Sequence, residues 1–287
     1  MKHWHDDGHD DHGGLHRDLI ASGAAIDRRG VLRLGARFGA AIGALQLVGC
    51  GDSPTSPSTT TGTTPATTTG GATAPVSSTA TCARVPQETE GPYPGDGSNG
   101  PNVLSLTGVV RTDIRSSFAG LSGTAAGVPL NIALTIVSAT TCAPLAGAAV
   151  YIWHCDRDGR YSLYSSGATN QNYLRGVQEA DANGLVTFRS IYPGCYAGRW
   201  PHIHFEVYQN LAAATSVRNK TATSQIALPK AASDLVYGTT GYEQSIANAA
   251  RITLASDGIF SDGASLELAT VNGDVSSGMT ASLTVAV

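Results

Sequence analysis

Apolar side chains recur at every second position over several short stretches of this chain, the period that puts alternate residues on one face of a strand. Such stretches are 103–110, 130–138, 148–154, 185–191, 202–208, 252–255, 266–269 and 280–285. Turn punctuation separates them, as in Asp156-Arg157-Asp158-Gly159 and Asp181-Ala182-Asn183-Gly184. One short helix is expected over 242–250, which lacks Gly and Pro and contains good helix formers. Many short strands at this spacing predict an all-β domain, a sandwich or a barrel.

That pattern starts only after residue 81. Before it, residues 1–50 read as a targeting segment: Arg28 and Arg29 precede an apolar and small-residue run, 38–49, that ends at Cys50. The run is shorter than the roughly twenty residues a membrane-spanning helix needs. Asp27-Arg28-Arg29-Gly30-Val31-Leu32-Arg33 resembles a twin-arginine export signal, with a Sec-type signal as the alternative. Leu47-Val48-Gly49-Cys50 resembles a bacterial lipobox, which implies export to the cell envelope and lipid anchoring through Cys50. Residues 51–81 are almost entirely Thr, Ser, Pro, Gly and Ala, too poor in large apolar side chains to offset the entropy of ordering, and read as a tether. The folded part is then 82–287, enough for one well-buried core.

Charge narrows the partners. From Cys50 onward, twelve Lys and Arg stand against sixteen Asp and Glu with no basic stripe, so nucleic acid is not an expected partner. Membrane contact is expected only through the lipid anchor. Four cysteines fall in the folded part: Cys82, Cys142, Cys155 and Cys195. An even count in an exported chain suggests disulfides, with three possible pairings. No Cys-x-x-Cys pair favours a zinc site.

Histidine is the informative residue. Five of the eight lie in the leader, leaving His154, His202 and His204. On a strand, His202 and His204 present two imidazoles on one face, an arrangement that suits a metal. Tyr161, after the turn Asp158-Gly159, and Tyr196, six residues before His202, lie in loops. Each is either an amphipathic edge residue with its hydroxyl in water or a phenolate ligand. A phenol titrates near pH 10, so only a strongly Lewis-acidic cation holds it deprotonated at neutral pH. Two phenolate oxygens beside two imidazoles suit iron(III) better than zinc or copper(I).

Five ordered blocks carry these residues: Thr89-Glu90-Gly91-Pro92-Tyr93; Val150-Tyr151-Ile152-Trp153-His154-Cys155-Asp156; Gly159-Arg160-Tyr161-Ser162 with Leu174-Arg175-Gly176; Ile191-Tyr192-Pro193-Gly194-Cys195-Tyr196; and Arg199-Trp200-Pro201-His202-Ile203-His204-Phe205. Together they resemble the intradiol ring-cleavage dioxygenases, the family of protocatechuate 3,4-dioxygenase and catechol 1,2-dioxygenase. The resemblance implies a β-sandwich core of the intradiol type with long active-site loops and little helix. It also implies Fe(3+) on Tyr161, Tyr196, His202 and His204, and a catechol-type aromatic substrate that reacts with O2. Tyr196 would leave the metal and accept a substrate proton. Arg199 would stabilise developing negative charge, Gln225 would sit near the substrate, and 89–93 would help wall the pocket.

Only Ala197 and Gly198 separate Tyr196 from Arg199. That is shorter than in catechol 1,2-dioxygenases and closer to a compact protocatechuate-type subunit. Cys195 stands where relatives often carry Pro or Trp, and the pairs Cys155–Cys195 and Cys82–Cys142 are expected. Trp153 and Tyr151 read as core, and His154 as a structural residue. An oligomer is compatible with these features. The competing reading is a non-catalytic β-sandwich envelope lipoprotein that binds a metal or an aromatic ligand; a copper or zinc protein would leave the tyrosines unexplained.

Overall fold

The computed structural model describes residues 82–287. The export signal, Cys50, the tether and the leader histidines therefore lie outside the described residues. Among the described residues, eight strands form two four-stranded sheets. The strands are β1 (Pro129–Val137), β2 (Ala149–Trp153), β3 (Arg175–Glu179), β4 (Leu185–Ile191), β5 (His202–Tyr208), β6 (Lys220–Ala227), β7 (Thr270–Asp274) and β8 (Gly278–Ala286). One sheet has the order β4-β1-β8-β7, with β1 and β8 parallel; the other, β3-β2-β5-β6, is antiparallel throughout. Two short helices, α1 (Lys230–Tyr237) and α2 (Glu243–Ala249), follow β6. The fold is the expected all-β sandwich, with long loops and little helix.

Alternation builds the core. Leu130, Ile132, Leu134 and Ile136 of β1 turn inward with Val186 and Phe188 of β4, against Val150 and Ile152 of β2 and Ile203, Phe205 and Val207 of β5. Each large apolar side chain so withdrawn from water contributes about 1.5–3 kcal/mol. The outer face of the second sheet is buried as well. Tyr151, Trp153, Val177 and Tyr208 pack there under loops that bring Val103, Leu104, Val109 and Tyr161. A third layer of loop thus lies on that sheet, and β5 is enclosed on both sides along its whole length.

Three of the expected strands take other forms. Residues 103–109 are turns whose apolar side chains plug the outer face of the second sheet instead of pairing in a ladder. In 252–255 the chain enters a 3-10 turn, Leu254–Ser256, capped by Thr253. In 266–269 only Leu268 bridges, to Ala227. Strands β3, β4, β6 and β7 lie at sheet edges, and α1 starts directly after Pro229. The Cys82–Cys142 disulfide is present. The Cys155–Cys195 pair is not: both are buried free thiols. They belong to different packing clusters, with Cys155 Sγ 3.5 Å from the Gly194 carbonyl and Cys195 Sγ 3.4 Å from that of Arg199.

Candidate metal centre

Strand β5 sets the site through its period of two. Ile203, Phe205 and Val207 face the sandwich core, so His202, His204, Glu206 and Tyr208 project under the loop layer. Register places His204 between Trp153 on β2 and Gln225 on β6, and Trp153 opposite Arg175 on β3. One rung of the sheet therefore reads Arg175, Trp153, His204, Gln225.

Two loops bring the phenols. Tyr161 follows the turn 156–159, where Asp156 accepts from the amides of Asp158 and Arg160. Gly159 has a φ of +80°, and a Cβ there would lie 2.9 Å from Cβ of Tyr196, so the two loops touch only because this residue is glycine. Tyr161 Oη then lies 3.3 Å from His202 Nε2 and 3.2 Å from His204 Nε2. The two Nε2 atoms are 3.1 Å apart, and Tyr196 Oη is 3.4 Å from that of His202. Tyr161 is buried and Tyr196 half-buried.

Ring orientation is set twice over. His202 Nδ1 meets the Trp200 carbonyl, which only accepts, so Nδ1 carries the proton and Nε2 offers its lone pair to the centre. His204 is held by stacking on Trp153, ring centroids 4.8 Å apart and 6° from parallel. Burial, reinforced by Arg199, lowers the His202 imidazole to about 3; burial, with His202 and Arg199, takes that of His204 well below its usual value. Both rings are neutral at neutral pH and available as ligands.

The donor set fits a cation. Ligand atoms about 2.0–2.1 Å from a shared ion lie about 3 Å from one another, close to the separations of 3.1–3.4 Å that link Tyr161, His204 and Tyr196 through His202. Among the described residues no three His, Cys, Asp and Glu gather in metal-ligating geometry, so a metal here depends on the phenols as much as on the imidazoles. Two clefts elsewhere, of about 430 and 910 Å³, are lined by none of these residues. Convergence, not cavity size, identifies the site.

Arg199 and Gln225 join it. Arg199 is fully buried, donating from Nε to Asp257 at 3.0 Å and from Nη2 to Gln225 Oε1 at 2.6 Å. Gln225 Nε2 in turn donates to the Thr89 carbonyl, tying in the 89–93 segment, whose Tyr93 ring stacks on Tyr161 at 4.7 Å. Burial pushes the Asp257 carboxyl up, but Arg199 and the amides of Trp200 and Ile259 outweigh it and hold it below its usual value. Phe260 lies 6.4 Å from the His202 ring. Sequence reasoning missed Asp257 and Phe260, because Asp257-Gly258 reads as ordinary turn punctuation. His154 stays out of the site: its ring nitrogens bond the Cys155 carbonyl and Ser190 Oγ.

A family model described as "Dioxygenase" matches residues 99–203, a span that includes Tyr161, Tyr196, Arg199 and His202. An intradiol ring-cleavage dioxygenase from Tetranychus urticae is similar in structure, with a TM-score of 0.56 and 26% identity over 71% of this chain and 94% of that one. A chlorocatechol 1,2-dioxygenase of Rhodococcus opacus is 37% identical over 57 residues, 20% of this chain. The match spans only 22% of that relative's length.

Proposed function

We propose a reaction from one premise: the chain belongs to the intradiol ring-cleavage dioxygenase family. The reaction is cleavage of a catechol-type ring between its two hydroxyls, with both atoms of O2 entering a muconate-type diacid. What supports it is the convergence of two phenols and two neutral imidazoles in one buried centre. Fe(3+) held by Tyr161, Tyr196, His202 and His204 would supply the Lewis acidity that keeps the phenols deprotonated and makes a bound catecholate electron-rich toward dioxygen.

The chain's own residues divide the remaining work. His202 and His204 offer nitrogen lone pairs without a proton to lose. Tyr196, less enclosed than Tyr161, is the side chain freer to move, and as a phenolate its Oη would take a proton from a catechol hydroxyl. Arg199 holds a fixed positive charge in a dry setting, where it stabilises an oxyanion more than it would in water. Gln225 and Asp257 fix that guanidinium, and Tyr93 and Phe260 keep water off the rings. The proposal extends to location: export and anchoring through Cys50 would put this chemistry at the cell envelope, acting on catechols met outside the cytoplasm.

Turnover with isotopically labelled oxygen tests the reaction. Iron-loaded protein given catechol and 18O2 should consume oxygen and yield a ring-opened diacid carrying label from both oxygen atoms. Oxygen uptake without ring opening, or a product cleaved beside the hydroxyl pair, rejects it.

A further inference from the structure

Arg175 is 1% exposed, yet among the described residues no carboxylate is one of its hydrogen-bond partners. Its five N–H donors are all used. Nε donates to Ser162 Oγ at 3.0 Å; Nη1 donates to the Pro94 carbonyl at 2.6 Å and to Tyr151 Oη at 3.1 Å; Nη2 donates to the carbonyls of Tyr93 and Ser162, both at 2.9 Å. Four of these five bonds end on two short segments, 93–94 and Ser162. One segment carries the ring stacked on Tyr161, and the other directly follows Tyr161.

The sheet end of this side chain is as informative. Arg175 stands on the same rung as His204, with Trp153 between them. A single planar fork therefore spans from the strand layer that fixes an imidazole to the loop layer that fixes a phenol. The backbone bends to permit it: Leu174 and Leu163, which flank Arg175 and Ser162, hold φ of 57° and 74°. Left-handed backbone at a leucine is strained and persists only where the surroundings impose it. Gly95 closes the fit, since a Cβ there would lie 2.8 Å from Arg175 Nη1.

We propose that Arg175 is a positioning residue for the metal centre: its guanidinium ties 93–94 and Ser162 to the rung of His204 and thereby sets Tyr161 Oη in register with the two imidazoles. The inference rests on the reading that Tyr161 is a metal ligand. Lysine cannot replace it, having three donors on a flexible stem in place of a five-donor plane. Ser162 is the partner bound twice, so its hydroxyl belongs to the same device.

Two measurements on the full chain and on Arg175→Lys and Arg175→Gln test this. The first is hydrogen exchange on iron-free protein, read at the bonded amides of Gly95, Tyr161, Leu163 and Ser165. Both variants should exchange there at least about tenfold faster while β5 keeps its protection, as for a local opening. The second is the visible spectrum after iron loading: the tyrosinate band should lose intensity or move in both variants, lysine failing to restore it. Unchanged loop exchange, or an unchanged band in a wild type that shows one, overturns the proposal. A wild type with no band, but with loops that loosen in the variants, upholds the clamp and removes the metal reading instead. If the variants do not fold, Ser162→Ala, which deletes the Nε acceptor together with the hydroxyl's own bond to the Tyr173 carbonyl, should loosen the same amides to a lesser degree; wild-type exchange there overturns the proposal.

Discussion

Removing the carboxylate of Asp257 would break the buried ion pair it makes with Arg199. Both side chains are fully enclosed, and breaking a buried pair from one side costs about 3–5 kcal/mol. Asp257→Ala should lose about that much in urea unfolding; a loss below about 1 kcal/mol, the range of exposed pairs, would mean the pair does not hold Arg199. Glu267 makes the opposite kind of prediction. Burial, with the charge of Glu88, raises its carboxyl to about 8 from 4.5. The folded state therefore binds the extra proton between those values, so stability falls as pH rises through that window, by at most about 1.4 kcal/mol per pH unit for one proton. Glu267→Gln should flatten that slope in unfolding curves taken at pH 5, 6, 7 and 8; a variant as steep as wild type contradicts it. Legibility at this scale followed chain distance. Tyr161, Tyr196, Arg199, His202 and His204 sit in short ordered blocks, so the sequence alone singles them out. Asp257 lies 58 residues from its partner, and nothing in its neighbourhood marks it as more than a turn.

At the scale of elements, alternation is a good guide where a strand turns large apolar side chains to the core, as the edge strand β4 does with Val186 and Phe188, and a poor one where it has few to turn. Strands β1, β2, β4, β5 and β8 are readable from it, and α2 falls inside the expected 242–250. Strands β3, β6 and β7 carry Arg, Gln, Lys, Thr, Asn and Asp, so no apolar alternation marks them. The edge of β6 is covered by the entering chain, where the Glu88 amide donates to the Thr223 carbonyl and Gln87 Oε1 accepts from the Thr223 amide. That entering chain is tied down by Cys82–Cys142, a bridge across 60 residues of sequence. Loop entropy puts its contribution near about 4 kcal/mol. Reduction should lower the midpoint of urea unfolding accordingly, and an unchanged midpoint would make the bridge thermodynamically idle. Cys155 and Cys195 should stay silent to a thiol reagent in the folded protein, burial having raised both thiols. Of the four cysteines in 82–287, two thiols, not four, should then react on unfolding without reductant. The four-cysteine count alone favours two bridges; side-chain direction, invisible in sequence, decides for one.

Over residues 82–287 the protein is two sheets with a loop layer laid over one of them, and the candidate centre lies between sheet and loops. The sandwich supplies rigidity through β5, enclosed on both faces. The loops supply the phenols, and Arg175, Arg199 and Gln225 are the cross-links that hold loop to sheet. A β-sandwich alone specifies no chemistry; the claim of an iron dioxygenase rests on Tyr161, Tyr196, His202 and His204 sharing one ion. The visible spectrum of iron-loaded protein, recorded without oxygen before and after adding catechol, tests that claim most directly. A tyrosinate-to-iron(III) band that shifts when catechol is added is the predicted result. Protein that takes up no iron and stays colourless, with no change on adding catechol, would contradict it and leave a binding module in its place.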